Sequence, residues 1–165
     1  MKKIILSIIA VTLFCFLSMA QKGTGKMVMQ FNTELSDGTT ITLPLRGTVN
    51  VQVEWGDGNV ETFTTSENAS HTYDEEGTYY VQISGSLTTF GASEGYDNAD
   101  KLVRVTDFGD LGITNFNYAF DKAINLIEVP NTLPSTVTNL SRMFRECSSL
   151  NCENLLSWDL TNVTR

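Results

Sequence analysis

Ile113-Thr114-Asn115-Phe116, followed by Phe120 and then Leu126, returns at a numbering offset of 24 as Val137-Thr138-Asn139-Leu140, Phe144 and Leu150. Leu102 stands at the same offset before Leu126, and Tyr96 before Phe120. Apolar positions therefore keep one register across two or three copies. A fixed period of this length marks a solenoid, in which each unit stacks on its neighbour and buries a shared apolar face. Leu102-Val103-Arg104-Val105 and Leu126-Ile127-Glu128-Val129 read as short strands. Phe116 to Phe120 and Leu140 to Phe144 place apolar residues three and four apart, a spacing that predicts one or two helical turns. Each unit is then a short strand plus a short helix, the general plan of leucine-rich repeats.

Upstream, the periodicity is two. Met27, Met29 and Phe31 alternate with Val28, Gln30 and Asn32; Val49, Val51, Val53 and Trp55 alternate with Asn50, Gln52 and Glu54. Tyr79, Val81 and Ile83 alternate with Tyr80, Gln82 and Ser84 in the same way. Such strands bury one face and wet the other. Turn signals separate them at Asp37-Gly38, Gly47, Asp57-Gly58 and Glu76-Gly77. Several short strands at this spacing predict a small antiparallel β-sandwich. The overall expectation is a mixed, mainly β fold: a sandwich followed by a strand/helix solenoid.

The ends bound the location. Lys2-Lys3, the apolar run from Ile4 to Leu17 and the small residues of Ser18-Met19-Ala20 have the layout of a secretory signal peptide, with cleavage expected after Ala20. The run is shorter than the ~18 apolar residues needed to span a bilayer, so no membrane insertion is expected after cleavage. Loss of Lys2 and Lys3 would move the net charge from −8 to about −10. An acidic surface repels phosphate backbones and anionic lipid, which argues against nucleic acid as a partner. About 145 residues remain, enough for one medium domain or two small ones. The organisation predicted is 1–20 signal peptide, 21–86 sandwich, 87–95 joint and 96–165 repeats. The chain stops at Arg165 within an Asn-Val-Thr cassette, so the array is expected to be incomplete at its C-terminus.

Two resemblances sharpen this outline. Trp55-Gly56-Asp57-Gly58, His71-Thr72-Tyr73 and Gly77-Thr78-Tyr79 with Val81 resemble the signature of PKD-type domains, immunoglobulin-like sandwiches common in exported bacterial proteins. The stretch from Val137 to Leu150, with Met143-Phe144 and Cys147-Ser148-Ser149-Leu150, is followed by Ser157-Trp158-Asp159 and Asn162-Val163-Thr164. It resembles the BspA-type leucine-rich repeat of bacterial surface proteins. That resemblance implies a non-catalytic exported or cell-surface protein that binds an extracellular protein or glycan, as an adhesin does. PKD-like modules also accompany secreted enzymes, so the alternative is an accessory, carbohydrate-binding portion of a larger one.

The chemistry-bearing residues favour recognition over catalysis. His71 is the one histidine. Ser70-His71 does not make a nucleophile and base, because adjacent strand residues point to opposite faces. Asp74-Glu75-Glu76 reads as a solvated turn and Asp57-Gly58 as a hairpin, with no calcium-loop spacing. No catalytic residue, metal or cofactor is expected. Export permits a Cys147–Cys152 disulfide, but Cys147 falls at the register of Ala123, so a small buried thiol is the simpler reading. Asn139 and Asn162 are expected to cap turns within the repeat. A binding claim rests on exposed aromatics: among Tyr80, Phe90, Tyr96, Tyr118 and Trp158, Tyr118 and Tyr80 are the candidates, since Tyr96 shares a core register and Trp158 reads as repeat packing.

Overall fold

The computed structural model describes residues 25–93 and 95–165, and the expected signal peptide lies outside them. No helix among the described residues is long and apolar enough to cross a membrane. The fold is mainly β. Six strands, β1 (Met27–Asn32), β2 (Thr40–Glu54), β3 (Val60–Phe63), β4 (Glu67–Thr72), β5 (Thr78–Phe90) and β6 (Leu102–Phe108), form one sheet of order β3-β2-β5-β1-β6, with β4 paired to β2. All the named pairings are antiparallel. The period-two residues behave as their alternation dictates: Met27, Met29, Phe31, Val51, Val53, Trp55, Val81 and Ile83 are buried, and Asn50 and Gln52 are exposed.

β2 does two jobs because it bends. Its second half pairs with β3 and its first half with β4, while β5 lies along the other edge. The ladder with β5 shifts register between Arg46 and Val49, a bulge that re-aims the strand. Gly47 makes it possible: its φ is +71° and a Cβ there would sit 2.2 Å from Thr88 Oγ1. The bend brings β4 back toward the end of β2, where the His71 ring stacks on Trp55 at 4.9 Å. Ile41, Leu43 and Leu45 are fully buried and Thr42 nearly so, giving a strand covered on both faces.

The second half of the chain is built from turns that stack. Parallel bridges join Arg104 to Glu128 and Asn115 to Asn139, each across one repeat. Ile127 N donates to Val103 O at 3.0 Å and Asn151 N to Ile127 O at 3.1 Å, which extends the same step through three units. Side chains complete it: the hydroxyl of Thr138 donates to Thr114 O, that of Thr114 to Thr88 O, and the amide of Asn154 to Val129 O. Each unit thus satisfies carbonyls of the unit before it, which explains the Asn, Ser and Thr between the apolar positions.

The predicted helical turns are tight turns instead. Ala119 N bonds to Phe116 O and Ala123 N to Phe120 O, and the next unit repeats this with Met143 to Leu140 and Cys147 to Phe144. Tyr118 and Arg142 have φ of 55° and 54°, and Asn98, Lys122 and Glu146 have 61°, 63° and 63°. These left-handed residues recur at the repeat period and interrupt right-handed winding every fourth residue, so no helix propagates.

Sheet and stack share one core. Phe90, Phe108, Phe116 and Phe120 are buried, with Phe120 and Phe144 stacked at 5.9 Å and Phe108 edge-on to Trp158 at 5.8 Å. The expected joint, 87–95, begins inside β5, which continues to Phe90. Leu102–Phe108, assigned by register to the repeats, is also an edge strand of the sheet, paired with β1. The same strand therefore closes the sheet and starts the stack. The burial of Phe90 corrects its reading as an exposed aromatic.

Candidate binding surface

Tyr118 sits on one of the stacked turns, half-buried, with the guanidinium carbons of Arg142 and Arg145 at 5.3 and 5.1 Å from its ring centre. Arg142 occupies the equivalent position of the next unit, so the stacking register itself delivers it to the ring. Arg145 is set by a fork-to-fork pair with Asp121, Nε to Oδ1 at 2.6 Å and the terminal nitrogen to Oδ2 at 2.7 Å. Asp121 is fully buried, and its hydrogen bonds hold the Arg145 guanidinium above its ordinary range. Gly95 leaves room for this carboxylate, since a Cβ there would lie 2.8 Å from Asp121 Oδ2. Arg142 pairs with no carboxylate among the described residues. The result is a fixed edge of one aromatic ring and two guanidiniums on an otherwise acidic protein, suited to anionic groups and flat ligand faces.

Beneath this edge lie two buried polar groups. The Tyr96 hydroxyl has no hydrogen-bond partner among the described residues, and burial pushes its pKa well above the usual tyrosine range. The Cys147 thiol donates to Phe120 O at 3.0 Å; burial pushes its pKa up to about 12, so it stays protonated. Both Cys147 and Cys152 are free thiols, the first half-buried and the second exposed.

Tyr80 is 54% exposed and stands opposite Gln30 of β1. It lies ten residues along β5 from Phe90, where the stack attaches, or roughly 30 Å at strand rise. The two candidate tyrosines therefore do not share a surface.

Two further features carry polar side chains. A groove of about 460 Å³ runs beside β6, walled by Thr106, Asp107, Glu128, Asn131, Thr132 and Asn154. On the other side, His71 Nε2 lies 2.7 Å from Asp57 Oδ2 and its Nδ1 3.4 Å from Glu61. Burial raises the Asp57 carboxyl, but the Asn59 backbone N–H and His71 outweigh it and hold the pKa at about 2. Ser70 Oγ pairs instead with Thr42 Oγ1 at 3.2 Å, on the opposite side of the strand from His71. Among the described residues no three His, Cys, Asp or Glu side chains converge to hold a metal. Asn139 accepts from Ser141 N as a turn cap, whereas the Asn162 amide donates to Ser135 O.

Arg142, Arg145 and Asp121 were not singled out by sequence reasoning, although a signal for the Asp121–Arg145 pair exists. Asp121 and Arg145 stand one repeat apart, as do Arg104 and Glu128, which pair at 3.3 Å. Opposite charges one repeat apart mark ion pairs between neighbouring units. Among known proteins, no family model, curated protein or solved structure matches this chain.

Proposed function

We propose that the chain is a non-catalytic, exported or cell-surface protein that binds an extracellular protein or glycan. In this reading residues 21–86 contribute a PKD-like sandwich acting as a spacer, and the following units belong to a BspA-type leucine-rich array that carries the interaction face. The bend in β2 and the parallel bridges from unit to unit support the two architectural parts. The observation that carries the functional part is the Tyr118 edge, where a fully buried Asp121 holds Arg145 against an aromatic ring beside Arg142, which has no carboxylate partner among the described residues. An aromatic and arginine side chains already fixed in place lose little entropy on binding, which is how recognition surfaces concentrate affinity. Screening the full chain against arrays of extracellular host proteins and glycans tests the reading. Binding that weakens in Tyr118→Ala supports it, and binding to neither array sinks it.

A further inference from the structure

The strongest unassigned feature lies where sheet meets stack. A recess of about 280 Å³ is lined by Arg46 of β2, by Thr89, Gly91, Ala92 and Ser93 at and beyond the end of β5, and by Asn115 and Asn117. We propose that this recess binds the carboxylate and hydroxyls of a single acidic saccharide residue, of the uronic acid type. The inference rests on the glycan arm of the function proposed above.

Arg46 sets the charge of the site. Its guanidinium donates to Leu45 O at 2.8 Å and to Asn68 Oδ1, both neutral acceptors, and it pairs with no carboxylate among the described residues. A guanidinium has five N–H donors in a planar fork, so most of its capacity toward a carboxylate stays open. The surrounding side chains complement the hydroxyls of a sugar. Asn115 Oδ1 accepts from Asn117 N at 2.8 Å, which leaves the Asn115 amide N–H donors. The side chains of Ser93, Thr89 and Asn117 hydrogen-bond to no other described residue, so each is open to a ligand.

The walls are assembled before any ligand arrives. Phe90 N donates to Asn115 O at 3.1 Å and Gly91 N to Pro44 O at 3.0 Å, and Thr89 bridges Asn115 in parallel. Gly91, at φ +145°, lets the backbones close up: a Cβ there would sit 2.1 Å from Asn117 O. Three segments distant in sequence are thus locked around one space, and little ordering remains to be done on binding.

Size and charge choose among anionic ligands. The volume of about 280 Å³ lies just below the ~300 Å³ at which small-molecule clefts begin and has room for a single ring. The net charge of −8 repels polyanions such as acidic peptide runs or polysulfated chains. One carboxylate on an otherwise neutral, hydroxyl-rich ring satisfies both limits.

Titration calorimetry and saturation-transfer NMR on the full chain, with methyl β-glucuronide, methyl β-glucoside, a glucose 6-sulfate glycoside and acetate, test the proposal. The glucuronide should bind at about millimolar concentration and the glucoside at least roughly tenfold more weakly, the factor expected for loss of a charge-assisted hydrogen bond. Acetate, which lacks the hydroxyls, should be weaker as well. Arg46→Gln should erase the preference for the glucuronide, Arg46→Lys should keep part of it, and Ser93→Trp should fill the recess while leaving Arg46 in place. Equal binding of glucuronide and glucoside, preference for the sulfate ester, or glucuronide binding that survives Ser93→Trp would each overturn the assignment. Array hits on uronic-acid-containing glycans that persist unchanged in both Arg46→Gln and Ser93→Trp would remove this site while leaving the binding function standing; an empty array would remove both.

Discussion

Lys101 is fully buried with no carboxylate partner among the described residues, and removing its ammonium should cost far more than its position between two segments would suggest. Its Nζ donates to Ser36 O at 3.0 Å, Ser36 Oγ at 2.6 Å and Asp37 O at 3.0 Å, so it ties the β1–β2 connection to the start of β6. Hydrogen bonds from a charged donor contribute about 1.5–3 kcal/mol each, a gross loss of roughly 4.5–9 kcal/mol for three. Relief of the ammonium's own burial returns several kcal/mol. The net expectation for Lys101→Met, which keeps the length of the side chain, is a destabilisation of about 3 kcal/mol. Lys101→Ala removes about three further methylenes at ~0.8 kcal/mol each and should cost about 5 kcal/mol. Urea unfolding with an unchanged m-value measures both. Hydrogen exchange should show residues 33–39 opening in Lys101→Met before the sheet does, because that connection loses its anchor. Ser36→Ala should cost about 1 kcal/mol in the wild type and nearly nothing in Lys101→Met, a coupling diagnostic of contact. A Lys101→Met variant within about 1 kcal/mol of wild type would mean that burial of the charge cancels its bonds and that the ammonium gives no net anchoring.

Three other outcomes are expected. Tyr96→Phe should stabilise the protein by about 1 kcal/mol in thermal or urea melts, since its buried hydroxyl has no partner among the described residues; a loss of stability would reveal one. Arg145→Met should lower the melting temperature more than Arg142→Met, because it strands the buried Asp121 carboxylate, and Asp121→Asn in that background should recover part of the loss. For pH, Asp57 has a folded-state pKa of about 2 against about 3.9 unfolded, so its contribution is present above pH ~4 and disappears as pH falls toward ~2. The drop should be at most about 2 kcal/mol, because the side chain is 20% exposed and partly screened. Asp57→Asn should show no such step between pH 4 and 2, and an identical acid profile would count against the His71 and Asn59 contacts as its source.

The strands with one wet face were legible because alternation records burial directly: Met27, Met29 and Phe31 need only a period of two to be placed. The first half of β2 was not, because Pro44 interrupts an otherwise alternating Ile41, Leu43 and Leu45, and a proline argues against a strand paired on both sides until β4 is seen to pair along it. The spacing of Phe116 and Phe120 correctly marked inward-facing residues but not their backbone. Helical turns and left-handed tight turns both return a side chain to the same face every few residues. The candidate surface was half legible. Tyr118 could be read as outward-facing from its place between Phe116 and Phe120, whereas Arg142 and Arg145 matter only once one unit is laid on the next.

By itself the sequence determined the mainly β character, the repeat period and the register that aligns one unit with the next. Those properties follow from local side-chain patterning and survive without knowledge of distant contacts. The tertiary structure decided where sheet ends and stack begins. Leu102–Phe108 satisfies the hydrogen bonds of β1 on one side and the bridge to Glu128 on the other. No local pattern encodes that double use, because exposed backbone groups at a sheet edge accept any strand the fold presents to them. Arg46 is the same lesson at the level of a site. In sequence it is an isolated cation in a strand, and only the closing of three distant segments gives it a recess to face.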